Sequence, residues 1–261
     1  MICAIIQARM GSTRLPGKVM MDLCGSHVLE HVVSRLERSK FIDKIIIATT
    51  LDSNNQPIID FCQKNNVSYY VGSEDDVLDR YYKTAIDNNM KDDDIVIRIT
   101  SDCPLIDPFV VDKVIEEHIS NNNDYTTNVI ECTYPDGLDC EVFNFSVLKD
   151  TWVNANLSSQ REHVTLYIRD NPDKFKLGNV KNDIDLSDLR WTLDEKEDFV
   201  FINEVYKNLY TKDSFFTMED ILDLLNKKPE LLEINSEFMR NEGLIKSLKE
   251  DVDLGSRNVD E

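Results

Sequence analysis

Apolar residues fall into two alternating kinds of block along the first half of the chain. Cys3–Gln7, Lys44–Ala48, Val67–Val71 and Ile95–Ile99 are short runs rich in β-branched, apolar or aromatic residues, as buried strands are. Between them the spacing changes to that of helices. His27–Arg38 carries Val28, Leu29, Val32, Val33 and Leu36 as one stripe, and Gln56–Asn65 repeats the pattern. Asp76–Asn88 sets Val77, Leu78, Tyr81, Tyr82 and Ala85 on one side. Pro108–Ser120 begins with a proline, where a missing N–H costs nothing. Tyr125–Val129 is a further strand candidate. This alternation predicts an α/β fold of three layers, a mainly parallel sheet with helices on both faces.

From Glu131 the pattern loosens. Leu138–Phe145 alternates weakly, Trp152–Asp170 reads as helices, and Arg190–Leu193 reads as one more strand near the core. Helices are expected over Glu195–Tyr210, Thr217–Lys227 and, very short, Leu244–Lys249. Neither a repeat nor a low-complexity linker divides the chain, so residues 1–250 are expected to form a single domain, followed by an acidic, flexible tail over 251–261.

Composition narrows the partners. The formal charge of −20 over 261 residues argues against nucleic acid and against anionic membranes, both of which need clustered positive charge. Apolar runs stay well short of a membrane span, and Ile2–Ile6 leads straight into Arg9, unlike a secretion signal. Six scattered cysteines with no CxxC pair fit a reducing compartment and no zinc site, so a cytoplasmic protein is expected.

Parallel sheets bind ligands beyond the carboxyl ends of their strands. The loop after the first strand runs from Ala8 through Arg9, Gly11, Ser12, Thr13 and Arg14 to Gly17 and Lys18. Its cations can neutralise a triphosphate, its hydroxyls and amides can donate to phosphate oxygens, and its glycines let the backbone come close. Neither GxxxxGKS/T nor GxGxxG is present, so this is not one of those two phosphate loops. The loop after the fourth strand runs Arg98-Ile99-Thr100-Ser101-Asp102-Cys103-Pro104. Asp102 offers the hard oxygen that a Mg²⁺–phosphate complex needs, or else it caps the turn that follows. Asp107, before Pro108, reads as a helix N-cap. Arg80 either reaches a ligand or pairs with Asp76 on an exposed helix face. Asp139 and Glu141 share one side of a strand and either bind hydroxyls of a substrate or form a water-facing hairpin rim.

The stretches IIQARMGSTRLPGK, GSEDDVLDRYY, RITSDCPLID, PDGLDCEVF, REHVTLYI and RWTLDEKEDF occur in this order over residues 5–199. Together they resemble the SpsF-like cytidylyltransferases, a group similar to the CMP-sugar synthetases that activate sialic acids and Kdo. The resemblance implies a nucleotide-diphospho-sugar transferase (GT-A-like) fold. It implies CTP, or another nucleoside triphosphate, held by the first loop, with Arg9, Arg14 and Lys18 on the phosphates. It implies Mg²⁺ on Asp102 and Asp194; without it, Asp194 would read as the N-cap of the helix that follows. Arg80 then contacts nucleotide or acceptor, and Arg98, Thr100 and Ser101 border the base. Residues 131–170 become an excursion for dimerisation or acceptor binding, with Arg161 or His163 reaching the acceptor across a homodimer.

The expected reaction is attack of an acceptor oxygen on the α-phosphorus of CTP with loss of pyrophosphate, Arg9, Lys18 and Asp102 doing the electrostatic work. The expected acceptor is a sugar acid or a phosphorylated or phosphonate compound in cell-surface polysaccharide synthesis. Two other readings use the same loops: a glycosyltransferase consuming a nucleotide sugar, and a non-catalytic nucleotide-binding protein.

Overall fold

β1 (Ile2–Gln7) is the strand around which the rest is laid. The computed structural model describes residues 1–210, 215–238, 240 and 242–255. A two-residue hairpin of β2 (Asp22–Leu23) and β3 (Ser26–His27) follows, then α1 (Val28–Leu36). β4 (Lys44–Thr50) pairs with β1 in parallel, and β5 (Ser68–Gly72) pairs with β4, with α2 (Gln56–Asn65) between them. After α3 (Val77–Asp87) the chain crosses to the other side of β1, where β6 (Ile95–Thr100) lies parallel to it. Strand order therefore reverses between β1 and β6, which opens a crevice at their carboxyl ends.

Beyond β6 the sheet departs from the expected pattern. After α4 (Pro108–Asn121), β7 (Tyr125–Thr127) does not join β6 directly. β8 (Glu141–Asn144) enters between them, antiparallel to both, and β9 (Leu177–Asn179) closes the edge beside β7. The order is β5-β4-β1-β6-β8-β7-β9. The 131–170 stretch supplies this interior strand, followed by α5 (Phe145–Asn154), α6 (Ser158–Glu162) and α7 (Leu166–Asp170).

Strand alternation fills both faces. Ala4 and Ile6 pack on one side with Leu29 and Val32 of α1, Ile58 of α2 and Val111 and Val114 of α4. Cys3 and Ile5 pack on the other with Leu78 and Tyr81 of α3, Leu148 of α5 and Ile168 of α7. Each fully buried Leu or Ile side chain there contributes about 1.5–3 kcal/mol. A third cluster gathers Leu15, Leu105, Leu138, Trp191 and Leu193 against α8 (Lys196–Leu209) and α9 (Met218–Lys227). It anchors the loops after β1 and β6, so it sets the crevice in place. Asp107 does cap α4, accepting from Phe109 N at 2.8 Å, and its other oxygen accepts from Met218 N of α9 at 2.7 Å.

Arg190–Leu193 is not a strand of the sheet. Its alternating apolar residues serve the third cluster, while its backbone pairs with loops: Trp191 N donates to Asp136 O, and Leu193 N donates to Asp102 O at 2.8 Å. Gly137 makes this possible, with φ +109° and room for no Cβ, which would lie 2.6 Å from the carbonyl carbon of Trp191. At the carboxyl end, α10 (Glu242–Lys249) lies across the crevice. Residues 251–254 are held rather than loose: Asp251 accepts from Ser158 and Ser159, and Leu254 N donates to Asn156 O at 2.7 Å. The remainder of the expected tail, 256–261, lies outside the described residues.

Candidate active site

The ends of β1 and β6 stand side by side, with Ser101 N donating to Gln7 O at 3.2 Å. The first loop leaves β1 at Ala8 and folds on itself, Gly17 N donating to Met10 O at 3.0 Å. Gly17 takes φ +72°, the left-handed conformation that suits glycine, and starts the helical turn Lys18–Met20. That turn sends the Lys18 side chain across the crevice. Its ammonium donates to Asp102 Oδ2, Asp194 Oδ1 and Leu193 O, each at 2.8 Å. Three donors meet three acceptors, so this buried cation is satisfied. Burial disfavours charge on both partners, but the pairing wins: Lys18 is raised above its ordinary value and Asp102 is held down at about 2.

Arg14 lies beside this group, 3.1 Å from Asp194 and 2.8 Å from Glu195, with Glu242 of α10 at 3.4 Å. Asp194 does not cap α8. Glu195 holds that position, and Asp198 Oδ2 accepts from the backbone N–H groups of Asp194 and Glu195. Asp198 is itself gripped by Arg190 at 2.9 Å and by Asn235, so the segment carrying Asp194 is fixed from below.

A cavity of about 800 Å³ opens over these groups. Every expected nucleotide residue lines it: Ala8, Arg9, Gly11, Ser12, Thr13, Arg14, Lys18, Arg80, Arg98, Thr100 and Ser101, with Asp102 and Asp194 on its floor. Arg9 is the most exposed of the three loop cations, near Glu74 at 3.4 Å. Arg80 is not on an exposed helix face: it is 2% exposed and folds back to the carbonyl of Ser73, while Asp76 caps α3 and pairs with Arg161. Gln7 also lines this cavity with a buried Oε1 that has no partner among the described residues. A polar residue ending an otherwise apolar strand was the sequence signal for it.

A second cavity, of about 260 Å³, adjoins the first across Asp102, Asp194, Arg98, Thr100 and His163, which line both. Asp139 and Glu141 both line it, Asp139 with its side chain 34% exposed. Glu141 is 4% exposed and bonded to Arg98, Tyr125 and Thr165. Burial works against its charge, yet Arg98, Arg169 and these hydroxyls hold it down at about 2. Burial and the neighbouring Asp136 and Glu141 push Asp139 up to about 7, against the pull of Arg240. His163 faces both cavities, and its ring nitrogen meets Ser247 Oγ at 3.0 Å. Burial and then the charge of Arg98 lower its pKa, favouring the neutral ring. Arg161 is the expected acceptor residue that the fold turns away. It is 2% exposed and spends its guanidinium on Asp76 and Trp152 O, joining α6 to α3 and α5. Sequence reasoning also missed Arg190, whose partner Asp198 lies only eight positions on, and Arg240 and Glu242, whose partners Asp139 and Arg14 lie too far along the chain for any local pattern to mark.

The Asp102–Asp194 pair fits a divalent cation. Both carboxylates already converge on one cationic nitrogen, and both are hard oxygen donors at the cavity floor. No cluster of three or more such ligands exists among the described residues. Two protein carboxylates with the other positions left to water and phosphate is the usual habit of Mg²⁺.

A switch-point crevice with a basic loop on one wall and a carboxylate pair on its floor is the architecture of a nucleotidyltransferase on the nucleotide-diphospho-sugar transferase fold. The cytidylyltransferase family model matches residues 3–242, and the chain belongs to that family. It is similar to an uncharacterized protein of Methanocaldococcus jannaschii, with 39% identity over 90% of this chain and 94% of the other. It is similar to the spore coat polysaccharide biosynthesis protein SpsF of Bacillus subtilis, with 34% identity over 88% of this chain and 95% of that protein. Among solved structures it resembles a cytidylyltransferase of Leptospira borgpetersenii at TM-score 0.83 and 32% identity, covering 88% of this chain and 96% of that one.

Proposed function

We propose that this cytidylyltransferase transfers CMP from CTP to a sugar-like acceptor in the making of a polysaccharide or glycoconjugate, with release of pyrophosphate and with Mg²⁺ as cofactor. The convergence of Lys18, Asp102 and Asp194 at the meeting of the two cavities carries this reading. The larger cavity takes the nucleotide and the smaller one the acceptor, so the acceptor oxygen meets the α-phosphorus where the two share a wall. Arg9, Arg14 and Lys18 bear the charge that grows on the leaving pyrophosphate. Asp102 and Asp194 would hold Mg²⁺, which when bound supplies Lewis-acid stabilisation of the phosphoryl oxygens. The Arg190–Asp198–Asn235 group keeps Asp194 aimed at the cavity. Similarity to SpsF supports a place in polysaccharide synthesis. Resemblance alone supports a cytoplasmic homodimer; in this structure one chain lines both cavities, and no described helix is long and apolar enough to cross a membrane.

The test is pyrophosphate release with each of the four nucleoside triphosphates, Mg²⁺ and a panel of sugar acids, phosphosugars and phosphonates. CTP is expected to be preferred, and Asp102→Asn is expected to lose on the order of 10³ in rate while still melting cooperatively, at a lower temperature because its pairing with Lys18 is weakened. An Asp102→Asn variant turning over near the wild-type rate would refute the reading.

A further inference from the structure

The carboxylates that line the smaller cavity are not equally occupied. Glu141 gives its oxygens to Arg98, Tyr125 and Thr165, and Asp136 lies between Arg190 and Arg240. Asp102 and Asp194 share Lys18, and Glu242 faces Arg14. Asp139 differs. Its Oδ1 accepts from Arg240, which orients the carboxylate, while its Oδ2 accepts no hydrogen bond among the described residues. Charge decides which group there takes up a proton. Asp139 is crowded by Asp136 and by Glu141 of β8, against the pull of Arg240 and of Arg98 on β6, and the nearby Cys103 and Cys132 thiols are kept neutral by burial. A proton on Asp139 relieves that crowding. His163 also lines the cavity, but Arg98 and Arg169 oppose a further cation on its ring. The wall carries six carboxylates against four guanidiniums, a surplus that suits attack by a neutral hydroxyl better than by a phosphate dianion. A hydroxyl, unlike a phosphate, must give up its proton as it attacks.

We propose that Asp139 is the general base of the transfer, taking onto Oδ2 the proton of an acceptor that attacks through a hydroxyl oxygen. In that step an electron pair of the hydroxyl oxygen forms the new bond to the α-phosphorus of CTP, and the hydroxyl proton passes to Asp139. The bond from the same phosphorus to the bridging oxygen breaks, and its electrons leave on pyrophosphate. Asp139 then returns the proton to water. Arg240 is a positioning residue that holds the plane of the carboxylate. The inference rests on the nucleotidyl-transfer reading and adds to it the acceptor's attacking group and the residue that deprotonates it.

Wild type, Asp139→Asn and Asp139→Gly are compared by pyrophosphate release with CTP, Mg²⁺ and, in turn, a 2-keto-3-deoxy sugar acid, a neutral hexose and a hexose 1-phosphate. Wild type is expected to turn over a hydroxyl acceptor. Its kcat should rise about tenfold per pH unit up to about 7 and level off above, because the base works only when deprotonated. Asp139→Asn keeps an oxygen for Arg240 but cannot take the proton. It should lower kcat roughly 10²- to 10⁴-fold, the range for general acid–base catalysis, and lose the acid limb. Its Kd for CTP by calorimetry should stay at the wild-type value. Asp139→Gly leaves room for a small base, so added formate should restore part of its rate, which a merely structural carboxylate would not allow. The proposal is overturned if wild type turns over only the hexose 1-phosphate, if Asp139→Asn keeps the wild-type kcat or its acid limb, or if formate restores nothing to folded Asp139→Gly. Turnover of the phosphate alone leaves the transfer reading standing, whereas no pyrophosphate from wild type with any acceptor sinks that reading and this one with it.

Discussion

Lys18 is the residue on which the site turns, because it occupies the place between two carboxylates that a divalent cation would share. At 8% exposure it holds Asp102 and Asp194 together with its own three donors fully used. Lys18→Met leaves two carboxylates facing each other with no counter-charge between them. Removing one partner of a buried pair costs about 3–5 kcal/mol; both aspartates keep some solvent, so a loss of about 1–3 kcal/mol is expected. The variant's melting temperature should fall in divalent-free buffer, and added Mg²⁺ should restore more than it adds to wild type. Equal responses to Mg²⁺ in the two proteins would show that the carboxylates do not share a cation site. The aspartate after β6 and the lysine ending the first loop were both legible in sequence, since each follows a strand end. Their direct contact was not, because it spans 84 residues. Arg161 was named through the family resemblance, and within one chain its guanidinium goes to Asp76, 85 positions earlier.

At the scale of elements, periodicity found most helices to within a residue or two, but it started α5 at Trp152 where the helix begins at Phe145, and it failed where backbone hydrogen bonding, not side-chain pattern, decides. Gln56–Asn65 matches α2 end to end. Arg190–Leu193 has the alternation of a strand, yet it is a connector clamped between the loop at Asp136 and the loop at Asp102. β9 escaped notice because Leu177–Asn179 is three residues long and half-buried. The turn at Gly137 links two of these elements, and its backbone is tight enough to test. Gly137→Ala places a methyl group 2.6 Å from the Trp191 carbonyl carbon at a φ that L-residues avoid. Strain of about 1–3 kcal/mol from the backbone adds to about 1–3 kcal/mol of overpacking. The expected loss of stability is therefore about 2–6 kcal/mol by denaturant titration, accompanied by weaker CTP binding as the 190–194 segment shifts Asp194. A variant as stable as wild type would mean that this turn yields and does not set the position of Asp194.

For the molecule as a whole, charge raises a difficulty that the site alone does not reveal. The chain carries −20, and its ligand is also an anion. The larger cavity does not offset this, for six Lys or Arg and six Asp or Glu line it. All three loop cations face carboxylates, Arg14 and Lys18 closely and Arg9, the most exposed, at 3.4 Å from Glu74. Attraction is thus confined to contact distance, while repulsion by the rest of the surface reaches as far as salt allows. That reach is about 30 Å at 10 mM salt and about 8 Å at 150 mM. Proteins that steer an oppositely charged ligand bind more slowly as salt rises. Here the sign reverses: the association rate constant for CTP with saturating Mg²⁺, followed by stopped-flow, should increase at least about twofold from 10 to 150 mM NaCl. The dissociation rate should rise as well, since the contacts proposed for Arg9, Arg14 and Lys18 would themselves be screened. A fall in the association rate over that range would mean that the basic loop is felt well outside the crevice and that the acidic surface does not govern approach.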